Sequence, residues 1–351
     1  MEFGMFHEFP TSAGHTETEA FETALAEVDA AEAWGLDAIW LAELHFAPKR
    51  SLLSAPLTVA SVIAARTRRI KVGIAVQVLP LCHPLRLAEE TATVDQLSHG
   101  RLILGVGRSG VVRTYEAYGV PYGESRERFV EILRILEQAW LEPDVSFAGR
   151  YYQFEHVTVV PKPFQKPHPP IRIAATTSDT FAVIGAMGFP IFASVRYPTW
   201  EELAPLIRSY REAYAKAGHP GRGEVFVSVP TYLAETEREA RADPEESIMH
   251  FYRQQVELLT DSAARSGTRA IERRSERAER LRNLTYDDAL RGNTLIGTPA
   301  TIGLRLRELQ EELGLDGILA EMNSGGMLPH DKVMRSLRLL CEEVMPQFKT
   351  A

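Results

Sequence analysis

The chain has 351 residues, 45% of them apolar and 25% charged, which suits either two ordinary domains or one large α/β barrel. Its net charge of -8, with no basic stripe outside one arginine-rich segment, argues against nucleic acid as a partner. No apolar run approaches the roughly 20 residues of a membrane span, and two cysteines make no disulfide framework, so we expect a cytoplasmic protein without a membrane partner.

Apolar runs bounded by glycine, proline and polar turns predict eight strands, at 2–6, 38–42, 70–78, 102–106, 171–174, 191–195, 225–232 and 317–322. Helical patterns lie between and after them, at 18–34, 55–65, 84–97, 126–141, 178–187, 200–217, 299–313 and 331–344. Capping boxes are predicted at Thr16 with Glu19 and at Thr199 with Glu202, and Thr298 before Pro299 predicts a helix start. Regular alternation favours a single eight-stranded parallel β/α (TIM) barrel domain over residues 1–351.

Two segments interrupt this alternation. Residues 149–170 carry β-formers followed by five prolines, which predicts an inserted hairpin and an extended loop. Residues 261–282 carry eleven charged side chains, seven of them arginine, inside the long connection 258–293. One interpretation is a solvated helix with pairs such as Glu276 and Arg280. The other is a mobile lid over the barrel mouth.

The strand at 102–106 delivers Arg108 beyond its C-terminal end, where ligands of α/β proteins bind. A fixed cation beside glycine-rich backbone is a suitable seat for a phosphate. Residues 105–110 match G-x-G-x-x-G, but they follow the fourth predicted strand, and 111–119 shows no regular amphipathic helix. We therefore do not expect a dinucleotide-binding fold.

Two further sites point to an anion. Arg126 opens a predicted helix, where the helix dipole disfavours a cation, so it is either exposed, paired with Glu124, or a second phosphate contact. The segment containing Ala175, Thr176, Thr177 and Thr180 joins the fifth predicted strand to its helix, where free N–H groups bind anions. Simple N-capping by Thr177 or Ser178 is the alternative, and it is compatible with anion binding.

Polar residues also follow the first two predicted strands. His7 lies just past the first strand, and Glu43 and His45 lie just past the second. A single histidine is more often structural than catalytic, but two at one barrel face favour an acid–base role for at least one. The sequence shows no convincing metal-binding pattern and no G-x-S-x-G motif.

Taken together, these segments resemble the bacterial luciferase-like flavin monooxygenases. The resemblance runs through EFG at 2–4, WLAELHF at 40–46, LPLCHP at 79–84, DQLSHGR at 95–101, IGTP at 296–299 and VMP at 344–346. It implies an eight-stranded β/α barrel that binds reduced FMN at its C-terminal face. The implied reaction oxygenates a small organic substrate with O2 through a peroxyflavin, and a separate flavin reductase supplies the reduced FMN.

The resemblance also implies roles for single residues. Arg108 and Arg126 would hold the phosphate, and Thr177, Thr180 and the backbone N–H groups near Ala175 and Thr176 would complete that shell. Ala75 and Val76 match a position where family members carry a cis peptide bond under the flavin ring. Glu43 matches an acid near the flavin, and His45 or His7 would act as acid or base.

One departure concerns the luciferase reaction itself. Luciferase alpha chains have two successive histidines where this chain has Leu44 and His45, and leucine transfers no proton, so we expect no light emission. A deazaflavin-dependent oxidoreductase and a non-catalytic flavin-binding subunit remain as alternatives. The resemblance further implies a homodimer, formed through helices near 52–65 and 84–97.

Overall fold

The computed structural model describes residues 1–11, 14–265 and 268–349. Within them lie eleven strands: β1 (Glu2–His7), β2 (Ala38–Leu41), β3 (Lys71–Val78), β4 (Leu102–Gly107), β5 (Val145–Ala148), β6 (Gln153–Val157), β7 (Ile171–Ala174), β8 (Ile191–Ser194), β9 (Val225–Leu233), β10 (Leu295–Gly297) and β11 (Gly317–Glu321). Eight strands pair in parallel in the order β1-β2-β3-β4-β7-β8-β9-β11, and β11 pairs again with β1. The sheet therefore closes, and the predicted eight-stranded barrel is confirmed.

The same residues form thirteen α-helices: α1 (Glu17–Ala33), α2 (Pro56–Arg66), α3 (Pro84–Leu97), α4 (Val112–Ala117), α5 (Ser125–Leu141), α6 (Ser178–Met187), α7 (Trp200–Lys216), α8 (Glu237–Ala242), α9 (Glu245–Ala264), α10 (Thr268–Arg282), α11 (Tyr286–Gly292), α12 (Pro299–Leu313) and α13 (His330–Leu339). The capping boxes predicted at Thr16 and Thr199 are confirmed by reciprocal hydrogen bonds. Helix α12 begins at Pro299 after the N-cap Thr298, as predicted.

The structure corrects the predicted elements in several places. The inserted hairpin begins at β5, before residue 149, because Val145 is buried and pairs with Val157 of β6. A short helix, α4, occupies part of 111–119, where no regular helix was expected. Helices α8 and α9 and the three-residue strand β10 were not predicted. The predicted mobile loop 258–293 is helical in its described part, and residues 266–267 lie outside that part.

A repeated junction ties the strand starts together at the N-terminal end of the barrel. Helices α1 and α12 are each followed by a left-handed glycine, Gly35 (φ 87°) and Gly314 (φ 61°). Two residues after each glycine, an aspartate accepts a hydrogen bond from a neighbouring strand: Asp37 from Phe3 N at 2.9 Å, and Asp316 from Val225 N at 2.8 Å. The junction thus ends a helix and fixes two strands to each other.

Large side chains fill the barrel interior. Trp40 is fully buried against Gly4 and Gly73, where an added Cβ would lie 2.3 Å and 2.1 Å from the indole. The Arg172 guanidinium lies over the Phe226 ring, 3.4 Å from its centroid, and 4.9 Å from the Trp40 ring. The interior is therefore a packed core, and ligands must bind outside it, at the C-terminal ends of the strands.

The charge of Arg172 is compensated inside this core. Its Nη1 donates to Glu2 Oε1 at 2.8 Å, and the more exposed Lys71 donates to Glu2 Oε2 at 2.9 Å. Burial alone would raise the pKa of Glu2, but the hydrogen bonds and charges of Arg172 and Lys71 outweigh it and hold the pKa below its usual 4.5. The ion pair therefore stabilises the fold above that pH, and the contribution is lost as Glu2 becomes protonated in acid.

We predict that Arg172→Met lowers the free energy of unfolding by about 3–5 kcal/mol at neutral pH, because Glu2 then loses its buried partner. Lys71→Met removes the exposed partner of the same carboxylate and should cost much less. Chemical denaturation at several pH values measures both. The difference in the free energy of unfolding between Arg172→Met and the unchanged protein should narrow below about pH 4.5. Equal losses of unfolding free energy in the two variants would contradict this account.

Candidate active site

The Glu43 carboxylate organises the polar residues beyond β2 and β3. Its Oε2 accepts hydrogen bonds from Gln77 Nε2 at 2.7 Å and from Val78 N at 2.6 Å, and its Oε1 lies 2.8 Å from His45 Nε2. The carboxylate side chain is 4% exposed. Three neighbours therefore hold this buried carboxylate in place. Two of the site residues predicted from the sequence, Glu43 and His45, are in direct contact.

These contacts define what His45 can do. An ionised carboxylate only accepts hydrogen bonds, so His45 Nε2 carries the proton shared with Glu43. The other nitrogen, Nδ1, lies 3.3 Å from the hydroxyl of Tyr118. In the neutral ring Nδ1 carries no proton, so it accepts a hydrogen bond from this hydroxyl. The Tyr118 side chain is exposed, and its hydroxyl is a group that can exchange a proton with the ring. The arrangement is that of an acid–base histidine oriented by a buried carboxylate.

His7 belongs to a different network. Phe9 N donates to its Nδ1 at 3.0 Å, so that nitrogen carries no proton, and Nε2 donates to Glu27 at 2.8 Å. Both ring nitrogens are thus engaged within the protein. Glu27 also contacts His330 Nδ1 at 3.1 Å, and this hydrogen bond raises the pKa of His330 above its usual value. The geometry favours a structural role for His7.

Strands β3 and β4 approach closely beside Glu43. The Ala75–Val76 peptide bond is cis, and the register between the two strands shifts between Ile74 and Gln77. An added Cβ on Gly107 would lie 2.5 Å from Val76 Cγ2, so only glycine fits there. Gln77 is buried, and its Oε1 has no hydrogen-bond partner among the described residues. That oxygen is an acceptor available to a ligand.

Arg108 lies past the end of β4, where the sequence placed it. Its Nη1 donates to Ser125 Oγ at 3.3 Å, and its carbonyl accepts a hydrogen bond from the Tyr115 hydroxyl. Ser125 begins α5 and precedes Arg126, which is exposed on the same helical turn. The structure therefore brings Arg108 to the helix start that carries Arg126. Within the part of the chain that the structure describes, the Arg108 guanidinium donates to Ser125 alone, which leaves most of its donors for a ligand.

The backbone N–H groups at the start of α6 are satisfied partly by a side chain of the same helix. The N–H groups of Thr176 and Thr177 donate to Thr180 Oγ1 at 3.2 Å and 3.1 Å. Thr177 is the N-cap residue of α6, as the sequence suggested, and it forms a capping box with Thr180. Ala175 is buried, and its N–H donates to Phe192 O in the barrel sheet. The N–H groups of Ala175, Thr176 and Thr177, which were expected to bind an anion, are therefore already engaged.

Helix α10, the arginine-rich segment, lies across this end of the barrel. Arg277 donates to Thr176 O at 3.2 Å, and Arg273 lies 3.8 Å from Asp179. Arg280 pairs with Glu202 of α7 at 2.8 Å, across elements, in place of the Glu276 pair expected along its own helix. The helical interpretation is confirmed, and its position is the one that a lid would occupy.

A second group of charged residues at this end was missed in the sequence. Glu8 follows β1 and pairs with Arg50; Arg196 follows β8 and pairs with Glu321, the last residue of β11, at 3.0 Å. Burial alone would raise the pKa of Glu8, but Arg50 and Arg196 outweigh it and hold the pKa below its usual value. The rule that identified Arg108, a polar residue just past a strand, could have found Glu8 and Arg196, but not Glu321, which lies inside the predicted strand 317–322.

The described residues contain no group of three or more His, Cys, Asp or Glu arranged to hold a metal ion. Among the helices of those residues, none is long and apolar enough to cross a bilayer.

The chain is similar to known proteins. A sequence profile of the luciferase-like monooxygenases matches residues 1–317. The oxygenase component of flavin-dependent trigonelline monooxygenase from Acinetobacter baylyi is 25% identical over 351 residues, which cover 99% of this chain and 96% of that protein. The oxygenating constituent of 3,6-diketocamphane monooxygenase from Pseudomonas putida, solved in complex with FMN, gives a TM-score of 0.82 at 20% identity over 99% and 98% of the two chains. An F420-dependent secondary alcohol dehydrogenase gives 0.76 at 14% identity over 99% of each. At these identities the two solved structures show the fold alone.

We predict that Glu43→Gln lowers the free energy of unfolding by about 1–3 kcal/mol, because the new amide turns an N–H group toward donors that need an acceptor. Glu22→Gln, an exposed change on α1, is the matched control and should leave stability unchanged. Thermal or chemical denaturation measures both. A Glu43→Gln protein as stable as the control would show that the carboxylate does not organise this site.

Proposed function

The chain belongs to the luciferase-like monooxygenase family, and on that basis we propose that it is a flavin-dependent monooxygenase that oxygenates a small organic substrate with O2 and reduced FMN. The observation that carries the proposal is the combination at one barrel end of Arg108, a cation with donors to spare, and the Glu43–His45 pair. A relative described as flavin-dependent and a structural neighbour solved with FMN support the choice of cofactor.

The donor set fits FMN. Arg108 and Arg126 are cations near one helix start, which suits a phosphate. The orphaned Gln77 Oε1 suits a ring N–H, and Ala75 and Val76 offer an apolar surface beside it. Because Thr176 and Thr177 already donate to Thr180, we propose that the start of α6, with Ala175 behind it, contributes chiefly through side chains and the helix dipole.

When bound, reduced FMN supplies the two electrons that place one oxygen atom of O2 in the product and the other in water. The protein binds and orients the cofactor and the substrate, and it protects them from water. Glu43 orients His45, and the Tyr118 hydroxyl at Nδ1 can pass a proton to the ring or take one from it. We propose that helix α10, which contacts the start of α6, helps to exclude water. We assign the acid–base role to His45, because its Nδ1 faces a hydroxyl that can exchange a proton, whereas Nδ1 of His7 accepts from a backbone N–H group.

The proposal includes partners. The trigonelline relative is described as an oxygenase component, which supports a separate flavin reductase as the source of reduced FMN for this chain. The homodimer and the cytoplasmic location implied by the family resemblance stay predictions.

A deazaflavin-dependent oxidoreductase is the second candidate, favoured by the F420-dependent neighbour. The two functions differ in what the cofactor gives the substrate, because a deazaflavin enzyme transfers a hydride and consumes no O2. Hydride exchange with reduced F420, without oxygen uptake, would identify the second candidate.

We predict that Arg108→Met weakens FMN binding about tenfold to a hundredfold, because it removes charged hydrogen bonds to the phosphate. Riboflavin, which lacks that phosphate, should bind the variant and the unchanged protein alike. Arg134→Met, an exposed change on α5, is the control. Isothermal titration with both flavins measures the effect; a riboflavin loss as large as the FMN loss would remove Arg108 from the phosphate site.

We further predict that the protein, mixed with chemically reduced FMN, 18O2 and a panel of small organic compounds, incorporates one 18O atom into at least one product. Mass spectrometry measures the label. Omission of the protein is the control for free flavin chemistry. Reduced FMN that binds and then yields only hydrogen peroxide across a broad panel would count against a monooxygenase and for a non-catalytic flavin-binding subunit.

A further inference from the structure

A narrow cavity opens at the C-terminal end of the barrel. The ends of β1 and β11 and helix α9 form its walls. Met5, Phe6 and Met322 give it an apolar side, and the other lining groups are largely polar. Because β1 pairs with β2, and Glu43 follows β2 by two residues, the cavity and the Glu43–His45 pair lie at the ends of neighbouring strands.

One buried oxygen atom in the wall has no hydrogen-bond partner within the described part of the chain. Gln254 of α9 is 8% exposed, and its Nε2 donates to Lys49 O at 3.1 Å. A carbonyl only accepts hydrogen bonds, so this contact fixes the orientation of the amide. The Oε1 atom, at the other corner, has no hydrogen-bond partner among the described residues. An acceptor buried in this way costs stability unless a ligand or water satisfies it.

Most of the charged groups in the wall also accept hydrogen bonds. Three carboxylates line the cavity, from Glu8, Glu27 and Glu321, but one guanidinium, from Arg50. Arg50 pairs with Glu8, and Arg196 pairs with Glu321. The third carboxylate, Glu27, contacts His7 and His330. The carboxylates therefore outnumber the guanidiniums by one, and an added anion would meet this excess negative charge. A ligand group that donates hydrogen bonds meets no such conflict.

The space limits the size of that group. It leaves about 30 Å³ for the centres of water-sized groups, two to three times the roughly 10–15 Å³ that one ordered water needs. This space suits a single polar head group. We infer that the body of the ligand extends out of the cavity toward the proposed flavin site.

We propose that this cavity is the head-group subsite of the substrate, and that it selects a small cationic hydrogen-bond donor such as an ammonium group. The donor satisfies Gln254 Oε1, and the carboxylate excess balances its charge. The subsite would hold an amine-bearing substrate with its body directed to His45. Its role as a substrate subsite rests on the proposed monooxygenase function, but binding of an amine to the cavity does not.

Isothermal titration at neutral pH with two probes of equal chain length, n-butylammonium and butyrate, tests the proposal. We expect butylammonium to bind at least about tenfold more tightly than butyrate. Gln254→Met, which keeps the length of the side chain and removes the acceptor, should weaken butylammonium binding about tenfold. Arg253→Met, the exposed neighbour on α9, is the matched control and should leave binding within about twofold.

Equal or tighter binding of butyrate to the unchanged protein overturns the proposal without reference to any variant. So does a Gln254→Met protein that melts normally and binds butylammonium as before. FMN titration of the same samples separates the two ideas: failure to bind FMN refutes the proposed function, whereas the probe titrations decide the subsite. Amine binding that survives without FMN binding would support the subsite and contradict the flavin chemistry.

Discussion

The packing of Trp40 against Gly4 and Gly73 is the constraint on which the rest of the molecule depends. It fills the barrel interior with an indole that admits no other side chain at the two glycines. The Arg172–Glu2 pair, stacked on aromatic rings, completes this core with a compensated charge. Because the interior is solid, the functional groups of eight strands must project beyond the strand ends, and they meet at one face.

At that face, neighbouring strands deliver three kinds of chemistry side by side. The end of β4 gives a cation with free donors, Arg108. The ends of β2 and β3 give the acid that orients His45. The ends of β1, β8 and β11 give a charge-paired wall around a narrow cavity. We propose that a phosphate, a reactive ring and a substrate head group each meet a matching surface at this face, where α10 contacts the start of α6.

Much of this arrangement was predictable because each barrel strand leaves a local pattern in the sequence. Buried parallel strands appear as apolar runs, so all eight were found, and a polar residue just past a strand identified Glu43, His45 and Arg108. Helix α9 could also have been found, since Ile248, Tyr252, Gln255 and Leu259 recur at helical spacing. It was missed because β/α units normally carry one helix between strands.

What the sequence could not supply is pairing at long range. Glu8 binds Arg50 at a separation of 42 residues, and Arg196 binds Glu321 at 125. Whether a strand-end residue is a free ligand contact or half of an ion pair depends on such partners. The two histidines illustrate the same limit. Nδ1 of His7 accepts from the backbone N–H group of Phe9, whereas Nδ1 of His45 contacts the hydroxyl of Tyr118, and neither partner could be read from the position of the histidine after its strand.

The most direct measurement is a crystal structure of the protein soaked with FMN. The account predicts a phosphate within hydrogen-bond distance of the Arg108 guanidinium and a ring against Ala75 and Val76, with its open face toward the cavity beside Gln254. A phosphate bound elsewhere, with Arg108 still turned to Ser125 alone, would contradict it.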